Sequence, residues 1–168
     1  AVTLVAGSVL AVVQTDVRRM LAYSSISHAG FVLVGVQAAS DRGIQAALFY
    51  LASYTFMVAG SFGVVTVVSR KGDIGHHLDD YRGLSKDRPL LALTFALFLF
   101  AQAGVPLTSG FFAKFYVITA AVDAGSTWLA AIAMLASVIA AFLYLRITVS
   151  MYMEVDEGAE RQARRIPI

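Results

Sequence analysis

The sequence predicts an all-α integral membrane protein: a polytopic bundle of transmembrane helices in which one helix is discontinuous. Two bulk properties indicate this class. Of the 168 residues, 58% are hydrophobic and only 14% are charged, and the mean hydropathy is +0.73, whereas an ordinary soluble domain has about 25% charged residues. The third observation is that the apolar residues form runs long enough to cross about 30 Å of hydrocarbon, with short polar segments between them.

Composition also excludes several classes of function. Cysteine is absent, which excludes disulfides and thiolate metal sites. The net charge is +2, and the basic residues cluster between the apolar runs instead of forming a basic face. We therefore predict no nucleic-acid partner.

We predict one transmembrane domain over residues 1–153, followed by a cytoplasmic tail or loop over 154–168. Its five helices, A to E, are predicted at about 1–13, 16–39, 44–69, 89–122 and 126–153. The apolar run of helix A stops at Gln14, short of the roughly 20 residues that span a bilayer. We expect helix A to be the end of a longer helix, so that the chain is a fragment.

Helix D contains the stretch GVPLTSGFFAKFY, which begins at Gly104. As one straight helix, residues 89–122 would be ~50 Å long, too long for a membrane without extreme tilt. Pro106 has no N–H, and Gly104 and Gly110 permit non-helical dihedral angles, so we predict an interruption at 104–110. A proline kink in a packed helix is the alternative. Unwound backbone at membrane depth must be buried in protein or line a wet cavity.

The distribution of basic residues predicts the orientation. If helices A to E alternate in direction, the basic residues of 14–19, 70–88 and 154–168 all lie at the same side, and Arg42 lies at the other. Cytoplasmic loops are enriched in lysine and arginine. We therefore expect these three segments to be cytoplasmic, in a multi-pass protein of the plasma membrane.

Two ionisable residues are predicted near the middle of the membrane. His28 lies ten residues beyond Arg18, or ~15 Å along helix B, and Lys114 lies nine residues before Asp123, or ~13 Å along helix D. A lysine at the centre of a bilayer costs ~2.5 to 3.5 kcal/mol on insertion scales. Such residues are functional candidates, because lysine and histidine can both exchange protons. The alternative for His28 is a hydrogen bond to a neighbouring helix.

Supporting polar residues lie near His28 and in helix C. Ser24 is one turn before His28, with Ser25 and Ser27 close by, and their hydroxyls could order a file of water. Tyr50 and Tyr54 share a face of helix C at i and i+4 and could extend this polar track. Serine and tyrosine also serve ordinary helix packing.

The remaining charged residues give weaker signals. We expect the long side chain of Arg146 to reach the membrane interface. We favour this role over one in which Arg146 lines a channel. His76 and His77 are adjacent loop residues, which is a poor spacing for a metal site. The sequence has no phosphate-binding glycine loop and no nucleophile triad, and we predict neither a metal nor a cofactor in this chain.

Four segments together resemble the subunit N family of proton-pumping NADH:quinone oxidoreductase, respiratory complex I. They are QTDVRRMLAYSSISHAGFVLVGV, YLASYTFMVAGSFGVV, DYRGLSKDRPLLA and GVPLTSGFFAKFYV. The resemblance covers essentially the whole chain. It implies that helices A to E form the second of two inverted five-helix repeats in an antiporter-like subunit.

The resemblance also implies roles for residues of this sequence. Lys114, in the motif that includes Thr108, corresponds to a lysine that ends the proton route toward the outside, and His28 corresponds to a central relay. The family usually has lysine followed by arginine where this chain has Arg18 and Arg19. Since arginine does not easily release a proton, Arg18 fits a tuning role at the cytoplasmic mouth better than a relay.

The function that the resemblance implies is proton pumping coupled to electron transfer from NADH to quinone. NADH, FMN, iron–sulfur clusters and quinone would then belong to other subunits, and the partners would be neighbouring membrane subunits, especially antiporter-like ones. Three alternatives remain: a cation/proton antiporter subunit of the same superfamily, a solute-binding secondary transporter, and a structural membrane scaffold. We expect the fragment alone to be inactive.

Overall fold

The computed structural model describes residues 1–69 and 76–153, and within these ranges the chain folds into helices and short connections without a β-sheet. The helices are α1 (Val2–Val12), α2 (Val17–Gln37), α3 (Asp41–Val68), α4 (Leu84–Asp87), α5 (Pro89–Ala103), α6 (Ser109–Asp123) and α7 (Thr127–Tyr152). Of the described helices, α2, α3 and α7 are each long and apolar enough to cross a membrane. The predicted all-α membrane bundle is confirmed, and the predicted tail at 154–168 lies outside the described residues.

Side-chain caps set where α2 and α3 begin. The Asp16 carboxylate accepts a hydrogen bond from the Arg19 N–H (2.9 Å) at the start of α2. The Ser40 hydroxyl accepts one from the Gly43 N–H (3.1 Å) at the start of α3. Such caps satisfy N–H groups that have no partner within the helix. Because of the Ser40 cap, α3 begins at Asp41, three residues before the predicted start of helix C.

The discontinuous helix predicted from the sequence is confirmed, since α5 and α6 are separate helices. Gly104 ends α5 with φ +87°, in the left-handed region that glycine adopts without strain. Leu107 also has a positive φ, of +74°. The Thr108 hydroxyl then caps α6, accepting from the Phe111 N–H at 3.3 Å.

The structure corrects the role predicted for Gly110. We predicted that this glycine belongs to the unwound segment, but α6 begins at Ser109 and Gly110 is helical. A Cβ atom at this position would clash with the Ala101 carbonyl oxygen. Gly110 is therefore required for the close approach of α6 to α5, and the unwound segment is limited to 104–108.

One end of the bundle collects the charged connections. The Val17 N–H donates to the His76 carbonyl (2.8 Å), and the Leu78 N–H donates to the Thr15 carbonyl (2.9 Å). A 3₁₀ turn, Leu78–Tyr81, continues from this contact to α4. The segments 14–19 and 76–88 thus lie together at what we call the charged end. The sequence also places 70–75 and 154–168 at this end, but both segments lie outside the described residues.

The opposite end is less charged in the described structure. Here Arg42 forms an exposed ion pair with Asp123 (2.7 Å), and the Gln37 amide donates to the Ser126 hydroxyl (3.1 Å). These contacts join the start of α3 to the end of α6 and the end of α2 to the start of α7. The two functional candidates, His28 and Lys114, lie between the two ends.

Candidate functional site

Lys114 lies in the second turn of α6, and its side chain is buried, with only 6% of the residue exposed. Its ammonium donates three hydrogen bonds: to the carbonyl oxygens of Gln102 (2.9 Å) and Ala103 (2.8 Å) and to the Ser137 hydroxyl (3.0 Å). An ammonium has three donors, so all are used. All three acceptors are neutral, and no carboxylate pairs with Lys114 in the described residues.

The interruption of the helix explains why these carbonyls are available. In a continuous helix, the Gln102 and Ala103 carbonyls would accept from the N–H groups four residues later. Pro106 has no N–H, and Leu107 lies outside both helices with a positive φ. The ammonium of Lys114 replaces the two missing donors. It also lies at the C-terminal end of α5, where the helix dipole favours a cation.

Gln102 anchors this end of α5 to α3. Its side-chain amide is fully buried and donates to the Ser61 hydroxyl at 2.6 Å. The side-chain oxygen of Gln102 has no hydrogen-bond partner in the described part of the chain. The side chain of Gln102, in the last turn of α5, is thus held by α3, while its main-chain carbonyl accepts a hydrogen bond from Lys114.

His28 is buried in α2 between two tyrosine hydroxyls. Its Nδ1 atom lies 2.8 Å from the hydroxyl of Tyr50 in α3, and its Nε2 atom lies 2.8 Å from the hydroxyl of Tyr144 in α7. A neutral imidazole has one donor and one acceptor nitrogen. One tyrosine therefore donates to the ring and the other accepts from it, and a change of tautomer reverses both bonds. This arrangement can pass a proton from one side of the ring to the other.

Tyr54 and Ser25 extend the polar contacts of His28 toward α3. The Tyr54 ring stacks on the imidazole at a centroid distance of 4.4 Å. Its hydroxyl donates to Ser25 at 2.6 Å, and Ser25 in turn donates to the Leu21 carbonyl at 2.9 Å. Tyr54 and Ser25 thus form a hydrogen-bonded branch beside the imidazole.

The three serines of α2 do not share one file. Ser24 donates to the Leu21 carbonyl (2.8 Å), whereas Ser27 faces α1 and pairs with the Ser8 hydroxyl (2.8 Å). Ser25 faces Tyr54, as described above. Ser24 and Ser25 thus share the Leu21 carbonyl, whereas Ser27 faces a different helix.

Phe31 lies between the two ionisable residues. Its ring centroid is 5.4 Å from the Lys114 ammonium nitrogen and 6.4 Å from the centroid of the His28 ring. The ring also stacks on Tyr50 at 5.7 Å. The face of this ring attracts a cation. His28 and Lys114 thus share one aromatic neighbour.

Arg18 lies at the charged end, at the start of α2 and away from Lys114. It lies near Tyr81, whose side chain is fully buried and whose hydroxyl has no partner among the described residues. Burial, and then the carboxylates of Asp16 and Asp80, raise the pKa of Tyr81, while Arg18 lowers it. The phenol is therefore neutral near pH 7. The positive charge of Arg18 offsets part of the effect of the Asp16 and Asp80 carboxylates on the Tyr81 hydroxyl.

Arg146 donates to the Val12 and Gln14 carbonyls, at 3.0 and 3.2 Å, and so reaches the charged end from α7. Thr108 acts as a helix cap, as described above, and its hydroxyl also donates to the Val105 carbonyl at 2.7 Å. Within the described residues, no cluster of three or more histidine, aspartate or glutamate side chains could hold a metal.

The sequence analysis missed several residues of the site. Tyr144 and Ser137 are polar residues within the apolar helix α7, and this was the available signal. Gln102 is an amide directly before the interruption, and Phe31 is three residues after His28, on the same face of α2. Each of these signals is common in membrane helices, so none of them selects the site without the tertiary contacts.

Comparison with known proteins gives consistent matches along most of the chain. Residues 1–140 match the family model of the NADH:quinone oxidoreductase/Mrp antiporter transmembrane region. NADH-quinone oxidoreductase subunit N 1 of Solibacter usitatus is 48% identical over 155 residues, which are 92% of this chain and 32% of that relative. The chain therefore spans about a third of the length of the curated relatives that it matches.

Solved structures show the same architecture. A chain of respiratory complex I from Thermus thermophilus with bound aureothin has a TM-score of 0.81 and 29% identity, over 93% of this chain and 35% of that chain. A chain of the Mrp complex from Dietzia sp. DQ12-45-1b has a TM-score of 0.82 and 32% identity, over 91% of this chain and 28% of that chain.

A bundle of apolar helices with a buried lysine beside an interrupted helix, in the architecture of these subunits, defines an antiporter-like integral membrane protein. The family match agrees with this class. The chain belongs to the NADH:quinone oxidoreductase/Mrp antiporter transmembrane family. The resemblance to subunit N that the sequence motifs indicated is confirmed by the curated relatives.

Proposed function

We propose that this chain is the proton-translocating second repeat of a subunit N of bacterial NADH-quinone oxidoreductase, and that Lys114 and His28 exchange the protons. The observation that supports this most directly is the ammonium of Lys114, which is buried at the helix interruption and, among the described residues, binds only neutral oxygens. Because its partners are neutral, loss of the proton leaves no unpaired carboxylate behind. The names of the curated relatives support the same function.

In this proposal His28 reloads Lys114. One tyrosine hydroxyl gives its proton to one ring nitrogen of His28 and takes up another from its own donor, while the proton on the other nitrogen passes to the second tyrosine hydroxyl, which releases its own proton onward. The pair of tyrosine hydroxyls keeps the ring in a geometry in which either tautomer is fully hydrogen-bonded. Transfer to Lys114 then follows a route past Phe31.

The driving force would come from elsewhere in the complex. Quinone reduction changes the electrostatic field along a row of buried charges in the membrane subunits, and Lys114 releases its proton toward the outside. NADH, FMN, iron–sulfur clusters and quinone belong to other subunits in this scheme. The partners are neighbouring membrane subunits, and the charged end, with segments 14–19 and 76–88, faces the cytoplasm.

The test is NADH-driven proton uptake into inverted vesicles that contain the full-length protein. Lys114→Arg keeps the charge and the donors but does not readily release a proton, so we expect quinone reduction with strongly reduced pumping and intact assembly. Lys86→Gln, at the charged end, is the matched control and should pump normally. Normal pumping by both Lys114→Arg and Lys114→Ala would show that Lys114 is only a structural charge.

A second candidate is a subunit of a cation/proton antiporter, which the similarity to the Mrp complex chain favours. It would use the same helices without an NADH-oxidising partner. Proton movement that depends on added Na⁺ or K⁺, in membranes whose NADH–quinone activity does not copurify with the protein, would support this candidate over the first.

A further inference from the structure

A groove with a volume of about 660 Å³ opens at the charged end, between the 3₁₀ turn and the outer face of α7. It lies away from Lys114 and His28. Its polar wall contains Arg82, Arg146 and Asp79, with His77 beside them. We call it the arginine groove. Its position is at one end of a bundle that spans the membrane, where side chains meet the region of lipid headgroups.

The polar wall has an excess of positive charge. Arg82 and His77 both contact the Asp79 carboxylate, at 2.9 and 3.1 Å. The His77 ring also accepts a hydrogen bond from the Asp79 N–H through Nδ1. Arg146 has no carboxylate partner in the described residues. Among the described residues that line the groove, two guanidinium groups face one carboxylate, so positive charge is in excess.

Two hydrogen bonds hold the Arg146 side chain in position and leave some of its N–H donors unused. Its Nη1 atom donates to the carbonyls of Val12 and Gln14, at the end of α1. The Nε and Nη2 atoms have no acceptor in the described parts of the chain. A guanidinium has five N–H donors in a planar fork that matches phosphate oxygens. The unused edge of Arg146 is therefore suited to a phosphate group.

The other wall of the groove is apolar and continues along the outside of α7. Phe142, Leu145 and Val149 line the groove and are 58%, 49% and 56% exposed. The exposed apolar surface extends from Leu145 back to Leu135, which is ten residues or ~15 Å of helix. This length matches one leaflet of a bilayer whose hydrocarbon core is about 30 Å thick.

We propose that the arginine groove binds an anionic phospholipid. The phosphodiester matches the excess positive charge on the polar wall, and an acyl chain covers the exposed face of α7. Basic pockets beside transmembrane helices bind anionic headgroups in this way. A free phosphate ion would leave the apolar wall uncovered. This inference uses the membrane location of the chain and does not depend on proton transfer.

The experiment uses vesicles of phosphatidylcholine that contain the full-length protein and a photoactivatable phosphatidylglycerol with the reactive group in its acyl chain. Mass spectrometry of peptides locates the label. We expect labelling within 135–149, the part of α7 whose exposed apolar face the acyl chain would cover. Loss of one basic side chain beside the bound headgroup costs about 1 kcal/mol, so Arg82→Gln should reduce labelling about fivefold. Arg19→Gln, an exposed arginine at the same end but outside the groove, is the matched control and should leave labelling unchanged.

Two further variants separate charge from packing. Arg146→Lys keeps the charge but loses the planar fork, so labelling should fall, though less than in Arg146→Gln. If Arg146 variants fail to assemble because α1 loses its cap, Arg82→Gln decides alone, since Asp79 is the only ion-pair partner of Arg82 among the described residues.

Three outcomes would overturn the proposal. The first is equal labelling by a photoactivatable phosphatidylcholine, which would show an apolar surface without headgroup selection. The second is labelling that Arg82→Gln does not reduce. The third is an unlabelled groove that cross-links to another polypeptide in native membranes, which would show that a protein occupies it.

Discussion

Replacing Lys114 by alanine should loosen the end of α5 in addition to removing a proton carrier. The ammonium is the donor for two buried carbonyls, those of Gln102 and Ala103, and Pro106 cannot supply a replacement N–H. A buried acceptor left without a partner costs about 1–3 kcal/mol, so two such acceptors cost about 2–6 kcal/mol of local stability. The lower value corresponds to an increase of roughly 30-fold in the population of the open helix end.

Hydrogen exchange measures this opening directly. The N–H groups of Gly104 and Val105 both donate to the Phe100 carbonyl, at 3.1 Å, and both bonds break when the end of α5 opens. In the full-length protein in lipid nanodiscs, Lys114→Ala should accelerate exchange of these amides by about 30-fold or more. Exchange at the wild-type rate would refute the argument, because the two carbonyls would then have other partners.

The matched control is Lys114→Arg, which keeps cationic donors at the end of α5. It should exchange more slowly than the alanine variant while it fails to pump protons. The two variants together separate the structural contribution of Lys114, which depends on its donors, from the proposed function, which depends on release of a proton.

Three further predictions concern other residues. Tyr144→Phe leaves one ring nitrogen of His28 without its partner, so NADH-driven proton uptake should fall about tenfold or more, by loss of one positioned proton-transfer group; uptake at the wild-type rate would contradict this. Gly110→Ala should lower stability by about 1–3 kcal/mol in thermal unfolding, because the added Cβ overlaps α5. The control Gly63→Ala should be neutral or stabilising, because its Cβ has open space around it. Tyr81→Phe should leave thermal stability unchanged or raise it by about 1 kcal/mol, because the buried hydroxyl has no partner in the described structure; a clear loss would indicate a bound partner.

The interruption shows where local rules suffice and where they do not. Pro106 and Gly104 restrict or permit backbone angles whatever surrounds them, and both act as predicted. Gly110 has the same conformational freedom, yet it lies inside α6 because of its contact with Ala101. The sequence of one helix does not show which residue of another helix it will contact.

The sequence by itself determined that the chain is a membrane bundle with a discontinuous helix, and that His28 and Lys114 lie at depth within it. These conclusions follow from hydropathy, helical rise and backbone restriction, which depend on neighbouring residues only. The tertiary structure alone decided the partners: Tyr144 lies 116 residues from His28 along the chain, and Ser137 lies 23 residues from Lys114. Lipid is as apolar as the interior of the bundle, so hydrophobicity does not reveal which face of a helix packs inward, and the partners are known only once the helices are assembled.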